Sequence, residues 1–371
     1  MTETGQGTLP ITSRPGQIPS LIQPAAQRGP QPTPSTMTNH ASSDEAIRLE
    51  GVSKRFGSKT AVNDLHLTVP RGSVCGVLGP NGAGKTTSIR MIMSIILPDE
   101  GTISVLGKRS AVESKDRIGY LPEERGVYRT MTVGDFLSYI AKLKGVDARG
   151  LTQKIDDWLE KLALPGVRKK KCQELSKGMQ QKVQFAATVI HDPDLIILDE
   201  PFSGLDPVNA HILRDLILEQ SAAGKTILFS THVLFSAEQL CDRVFMINQG
   251  EKVLDGSMDE IRASHDPRNV IAEPMTPGVG ERQLASIPGV DSVAAGGRGR
   301  GAMILRLADH ADAGAVMRAA ASIPDAPMRR VEIQSVTLED IFIRLVKPGD
   351  SEDNLRRAIS ADEPLEVGAD A

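Results

Sequence analysis

From Ala46 to about Arg262, short apolar runs alternate with stretches whose apolar residues recur at helical spacing. The runs at 47–52, 74–78, 195–199, 226–230 and 244–248 read as strands, several of the near-continuous kind that a parallel sheet buries on both faces. Strands alternating with amphipathic helices predict an α/β fold over residues 45–262. A largely helical insert, about 132–190, separates the second and third of these strands, with helices expected near 133–144 and 152–162. From Asp266 to about Val346 the elements shorten. Strands near 269–272, 290–294, 303–307 and 329–334 interleave with helices near 280–285 and 311–321. That order predicts a small α+β unit of βαββαβ type over 266–346, closed by a last helix from Leu338.

Both ends lack such periods. Residues 1–44 are rich in Pro, Gln, Thr, Ser and Gly, and 348–371 form an acidic tail. Segments that bury so little apolar surface do not offset their ordering entropy, so both are expected to be disordered. Met37, just before the first strand, is a candidate translation start. At 296–301 the run Gly-Gly-Arg-Gly-Arg-Gly reads as a flexible hairpin.

The chain has 371 residues and a formal charge of −4, without the basic excess of a dedicated nucleic-acid binder. No signal peptide or long apolar span is evident, which predicts a soluble cytoplasmic protein. Cys75, Cys172 and Cys241 show no metal or redox spacing and are expected as reduced thiols. Arg168-Lys169-Lys170-Lys171 reads as a solvated basic face, with contact to lipid headgroups or an acidic partner as the alternative, and Phe136, Ile140 and Leu143 read mostly as core at helical spacing. Trp158 reads as packing.

Residues 79–86, Gly-Pro-Asn-Gly-Ala-Gly-Lys-Thr, fit G-x-x-x-x-G-K-[ST] between an apolar strand and a helix. In that context glycines free backbone N–H groups to form an anion nest, and the helix start adds its positive end. Lys85 is placed to reach the β- and γ-phosphates, and the Thr86 hydroxyl to ligate Mg²⁺. Downstream, the apolar run 195–198 ends in Asp199-Glu200. The first acid suits the Mg²⁺ shell, and the second can polarise a water for attack on the γ-phosphate. Ser176, in Leu-Ser-Lys-Gly-Met-Gln-Gln (175–181), is a natural helix N-cap.

Taken in order, Phe56, the 79–86 loop, the 120–126 segment, the 175–181 signature, Asp199-Glu200, Ser203-Gly204-Leu205-Asp206 and Ser230-Thr231-His232 resemble the ATP-binding subunits of ABC transporters. The resemblance covers about 46–262. It implies a P-loop NTPase cassette with a helical subdomain at about 132–190, followed by the small α+β unit. It further implies ATP and Mg²⁺ as cofactors. Phe56 would stack on adenine. Gly79, Pro80, Asn81, Gly82, Ala83, Gly84, Lys85, Thr86 and Thr87 would hold the phosphates, and Thr86, Asp199 and Glu123 would serve the metal. Glu200 would be the general base and His232 the contact to the γ-phosphate. Ser176 and Gly178 would complete the site of a second subunit, with two ATP molecules between the two cassettes. Glu123 stands where the family usually has Gln, Lys177 where Gly is common, and Met179 where Gln is common. Leu-Pro-Glu-Glu-Arg-Gly (121–126) and the signature are similar to the sodium-export (NatA-like) branch, whose members carry a C-terminal extension of about this size, and Val-Thr-Leu-Glu-Asp-Ile-Phe (336–342) resembles the end of that extension. That branch implies ABC-2-type membrane subunits as partners, no nucleic acid, and a peripheral place on the cytoplasmic face of the membrane. Exporters of drugs, lipids or polysaccharide share the machinery, and a non-transport ABC protein is the more distant alternative.

Overall fold

A computed structural model describes residues 44–346 except 125, 266, 267, 279, 297–300 and 335. The expected disordered leader with Met37, most of the 296–301 hairpin and the acidic tail lie outside the described residues.

β1 (Glu45–Phe56) and β2 (Lys59–Pro70) form an antiparallel hairpin, and β4 (Glu100–Val105) pairs with the other edge of β1. Leu49, Val52, Val62, Leu65 and Val69 turn one face of this sheet onto Ile89 and Ile92 of α1 (Lys85–Ile92). Sequence patterning missed β2 and β4, because their outer faces carry polar residues and they lack a continuous apolar run, and it missed the strands at 118–121, only four residues long, and 251–257, a largely polar edge.

Five parallel strands make the central sheet, in the order β5 (Ile118–Leu121), β6 (Leu195–Asp199), β7 (Thr226–Thr231), β3 (Val74–Leu78) and β8 (Arg243–Asn248). β9 (Glu251–Ser257) closes the edge antiparallel to β8. Every residue of β3, β6 and β7 is buried, as their unbroken apolar character requires. Because β3, β6 and β7 run parallel as neighbours, their C-terminal ends meet at one edge, the usual place for a ligand in such sheets. That edge holds residues 79, 199–200 and 232.

The insert folds as expected. α2 (Val133–Leu143) and α3 (Leu151–Lys161) pack with α4 (Lys177–Val189), which is buried without interruption from Gln181 to Val189. Phe136 is core and Ile140 partly so, but Leu143, the last residue of α2, is 62% exposed. Trp158 packs edge-on against Phe185, as expected. Arg168 of the basic run pairs with Asp156 at 3.0 Å, and Lys169 to Lys171 are exposed. All three cysteines are free and buried.

α5 (Pro207–Ala222), α6 (Leu234–Leu240) and α7 (Met258–Ser264) complete this part of the chain. The C-terminal unit is β10 (Asn269–Pro274), α8 (Glu281–Ala285), β11 (Val290–Ala295), β12 (Met303–Leu307), α9 (Ala313–Ala321) and β13 (Met328–Ile333), the βαββαβ order read from the sequence. Its antiparallel sheet runs β11-β12-β10-β13 over a core of its own, including Val270, Leu305 and Val316. α10 (Leu338–Val346) leaves that unit. Its Leu338, Ile341 and Phe342 join the core beneath the central sheet, together with Leu234, Ala237 and Leu240 of α6.

Candidate nucleotide site

β3 ends at Leu78, and the chain turns through the glycine loop into α1, whose first residue is Lys85. Two glycines are required by space. A Cβ on Gly79 (φ +149°) would lie 2.1 Å from the Ile247 carbonyl, and one on Gly84 (φ +112°) 2.6 Å from that of Ala61. Gly84 is also the N-cap and offers no side-chain oxygen, so the first N–H groups of α1 are left for another acceptor. The Lys85 ammonium is buried. It donates to the carbonyls of Gly79 (2.8 Å) and Pro80 (3.2 Å) and lies 3.3 Å from Glu200 Oε1.

The end of β6 supplies the acids. Asp199 is fully buried, and its Oδ1 accepts from the Ser230 hydroxyl at 2.6 Å and the Thr86 hydroxyl at 3.3 Å. Glu123, after β5, approaches the same Thr86 hydroxyl at 3.4 Å. Asp199 Oδ2 is buried with no hydrogen-bond partner. A hydroxyl and two carboxylates with a spare buried oxygen are the hard donor set that Mg²⁺ takes from a protein when phosphates and water complete its shell. The residues fit the ion. Among the described residues no group of three or more His, Cys, Asp or Glu gathers as a metal site, and this mode of binding does not need one. Burial pushes the Asp199 carboxyl above its ordinary value, against the hydrogen bond from Ser230.

Glu200 behaves differently one residue on. Burial pushes its carboxyl up, but the hydrogen bond from His232 and the charge of Lys85 outweigh it and leave the group below its ordinary value. The carboxylate is therefore ionised at neutral pH, the form a base requires. Its backbone sits at φ +48°, a left-handed conformation unusual for Glu. Two bonds hold it there: Glu200 N–H donates to Ser230 Oγ (3.0 Å), and its carbonyl accepts from Ser203 N–H (3.1 Å). His232, just past β7, places Nδ1 3.1 Å from Glu200 Oε1.

Lys85, Thr86, Glu123 and Glu200 open onto a cavity of about 370 Å³, also lined by Phe56, Asn81, Gly82 and Thr87 among others. Phe56 stands at its rim, 52% exposed, with the Lys54 ammonium 5.6 Å from its ring centre. Gly79, Pro80, Ala83, Asp199 and His232 do not line the cavity. Ser176 and Gly178 do not line it either. Ser176 caps α4, accepting from Met179 N–H at 3.3 Å, and is exposed. Lys59 and Ala61, from the hairpin, line the cavity without having been singled out in the sequence. The link of Ser230 to both Asp199 and Glu200 follows from β6–β7 pairing, which sets Asp199 opposite Ser230.

Residues 62–203 match the family described as ABC transporter, and residues 256–346 match the C-terminal domain of ATP-binding protein DrrA1-3-like. The ABC transporter ATP-binding protein YhaQ of Bacillus subtilis is 43% identical over 224 residues, 60% of this chain and 75% of that one. The ABC transporter ATP-binding protein NatA of the same organism is 39% identical over 226 residues, 59% of this chain and 92% of that one. Among solved structures, an ATP-binding subunit of an ABC transporter superposes with a TM-score of 0.56 at 32% identity, covering 59% of this chain and 92% of the other.

Proposed function

This chain belongs to the ATP-binding proteins of ABC transporters, and we propose that it is the ATP-hydrolysing subunit of an exporter whose membrane path is built by separate ABC-2-type subunits. The observation that carries the reading is the shared edge of β3, β6 and β7, where Lys85, Thr86, Asp199, Glu200 and His232 converge within hydrogen-bond and ion-pair distances. The glycine loop and the start of α1 bind the triphosphate, and Lys85 draws charge from its outer phosphates. Mg²⁺ held by Thr86, Asp199 and Glu123 supplies neutralisation of phosphate charge when bound. Glu200 takes a proton from the attacking water as the new oxygen–phosphorus bond forms and the bond to the ADP oxygen breaks. His232 holds Glu200 on one side and faces the γ-phosphate on the other. Phosphoryl transfer depends on positioning and charge stabilisation, so hydrolysis requires a second cassette closed on the site, with its Ser176 and Gly178 over the phosphates.

Among the described residues no helix is long and apolar enough to cross a membrane, which fits a subunit docked at the cytoplasmic face of its partners. Glu200→Gln is expected to retain ATP binding and to lose turnover by about 10²–10⁴-fold, the worth of a general base. A steady-state ATPase assay beside a nucleotide-binding titration checks this, and near-normal turnover would remove Glu200 from the role.

Sodium is the cargo favoured by the NatA-like motifs. A second reading, export of another cargo, is favoured by the C-terminal unit. The match to NatA takes up 92% of that protein but only 59% of this chain, while residues 256–346 fall to the DrrA1-3-like domain. Sodium efflux from cells carrying the subunit with its membrane partners, compared with cells carrying Glu200→Gln, separates the two.

A further inference from the structure

α6 begins two residues after His232 and has only seven residues, too few to hold its place without packing. Its N-cap, Val233, gives no side-chain cap, although Val233 N–H is tied to Thr231 Oγ1 at 3.0 Å. One face of α6 enters the core through Leu234, Ala237 and Leu240. Against it lies α10, the helix by which the chain leaves the C-terminal unit. α10 caps itself through Thr337 and Asp340, with Asp340 N–H donating to Thr337 Oγ1 at 3.1 Å. Its Leu338 N–H instead crosses to α6 and donates to the Glu238 carboxylate. That N–H is one of the donors a helix start leaves unmet, and an anionic acceptor there also meets the positive end of the helix. Ile333, the end of β13, is five residues before Leu338, so any shift of the small unit reaches α10 at this junction.

We propose that the Glu238–Leu338 junction makes the C-terminal unit a lever on His232: Glu238 is a positioning residue that ties α10 to α6, and α6 in turn fixes the turn carrying His232 beside Glu200. The inference rests on the ATPase reading and adds its regulation. Movement of the C-terminal unit changes the hydrolytic step and leaves nucleotide affinity alone, because the phosphate loop and Phe56 lie on other elements.

The test uses the full chain. Glu238→Ala is expected to lower kcat about three- to tenfold, the scale of one lost helix cap, with the Kd for a fluorescent ATP analogue within twofold of wild type. Glu238→Gln keeps an acceptor oxygen and is expected to restore most of the rate. In a His232→Ala background, Glu238→Ala should add nothing, since the residue it positions is gone. Faster amide exchange over residues 231–236 should accompany Glu238→Ala. An effect that multiplies fully on His232→Ala, or one explained by weaker ATP binding, overturns the lever. If wild type itself does not hydrolyse ATP, the ATPase reading falls. The exchange measurement then decides the mechanical link, and unchanged exchange over 231–236 overturns it.

Discussion

Glu200 combines a buried carboxylate with a left-handed backbone, a conformation that costs a non-glycine residue on the order of 1–3 kcal/mol. The surrounding bonds must offset that cost, and Ser230 carries two of them, one to Glu200 N–H and one to Asp199. Ser230→Ala leaves a buried N–H without its partner. It is expected to cost about 1–3 kcal/mol of stability in denaturant unfolding and to slow turnover more than it weakens ATP binding. Lys85, Thr86, Asp199, Glu200 and His232 were legible in the sequence because each stands at a fixed offset from a strand end. Ser230's double contact and the cavity-facing Lys59 were not, because they arise from pairing between strands distant in the chain. His191 gives a pH signature outside the site. Burial, with help from the Lys144 charge, pushes its imidazole down from 6.5 to about 4, and Nε2 lies 3.2 Å from the Ile118 carbonyl. The folded state thus stays neutral at His191 while the unfolded chain takes up a proton, so stability falls as pH drops from about 6.5 towards 4. His191→Gln should flatten that part of the stability profile, measured by urea midpoints at pH 7 and pH 5. An unchanged slope would place the acid sensitivity elsewhere.

At the level of elements, four of the five parallel core strands and the insert helices announced themselves through unbroken apolar runs and helical period, while β5, only four residues long and interrupted by Gly119, did not. Strands β2 and β4, which flank β1, were harder to see, since one face is polar and the register carries bulges that interrupt strict alternation. α10 shows another limit of sequence reading. Its helical period was plain, but nothing local could tell that its apolar face enters the core with α6 instead of covering the small sheet that precedes it. Ile341 is fully buried in that core, which also contains Trp158, the chain's single tryptophan. Ile341→Ala is expected to lower the stability reported by Trp158 fluorescence by about 2–5 kcal/mol, the range for truncating a buried Ile. If only far-ultraviolet circular dichroism of the C-terminal unit changed, with the tryptophan transition unmoved, α10 would not share the cassette core.

For the whole molecule, the decisive fact is that the cavity gathers the phosphate loop, Glu123 and Glu200 but not Ser176 or Gly178. Ser176 caps an exposed helix start, where N–H groups can meet an anion carried by another subunit. If each working site takes its loop from one copy and its signature from a second, defects in the two halves must complement. Lys85→Ala removes the phosphate contact, and Ser176→Arg fills the signature with a bulky cation. Either variant alone carries two damaged sites per dimer. A mixed dimer carries one site in which both defects meet and one in which neither occurs. Mixing the two inactive proteins, with the membrane partners present, is therefore expected to restore ATP hydrolysis that neither shows alone. The restored rate should rise with total protein concentration until dimerisation saturates. A mixture as inactive as its components would confine the site to a single chain and leave Ser176 as a helix cap alone.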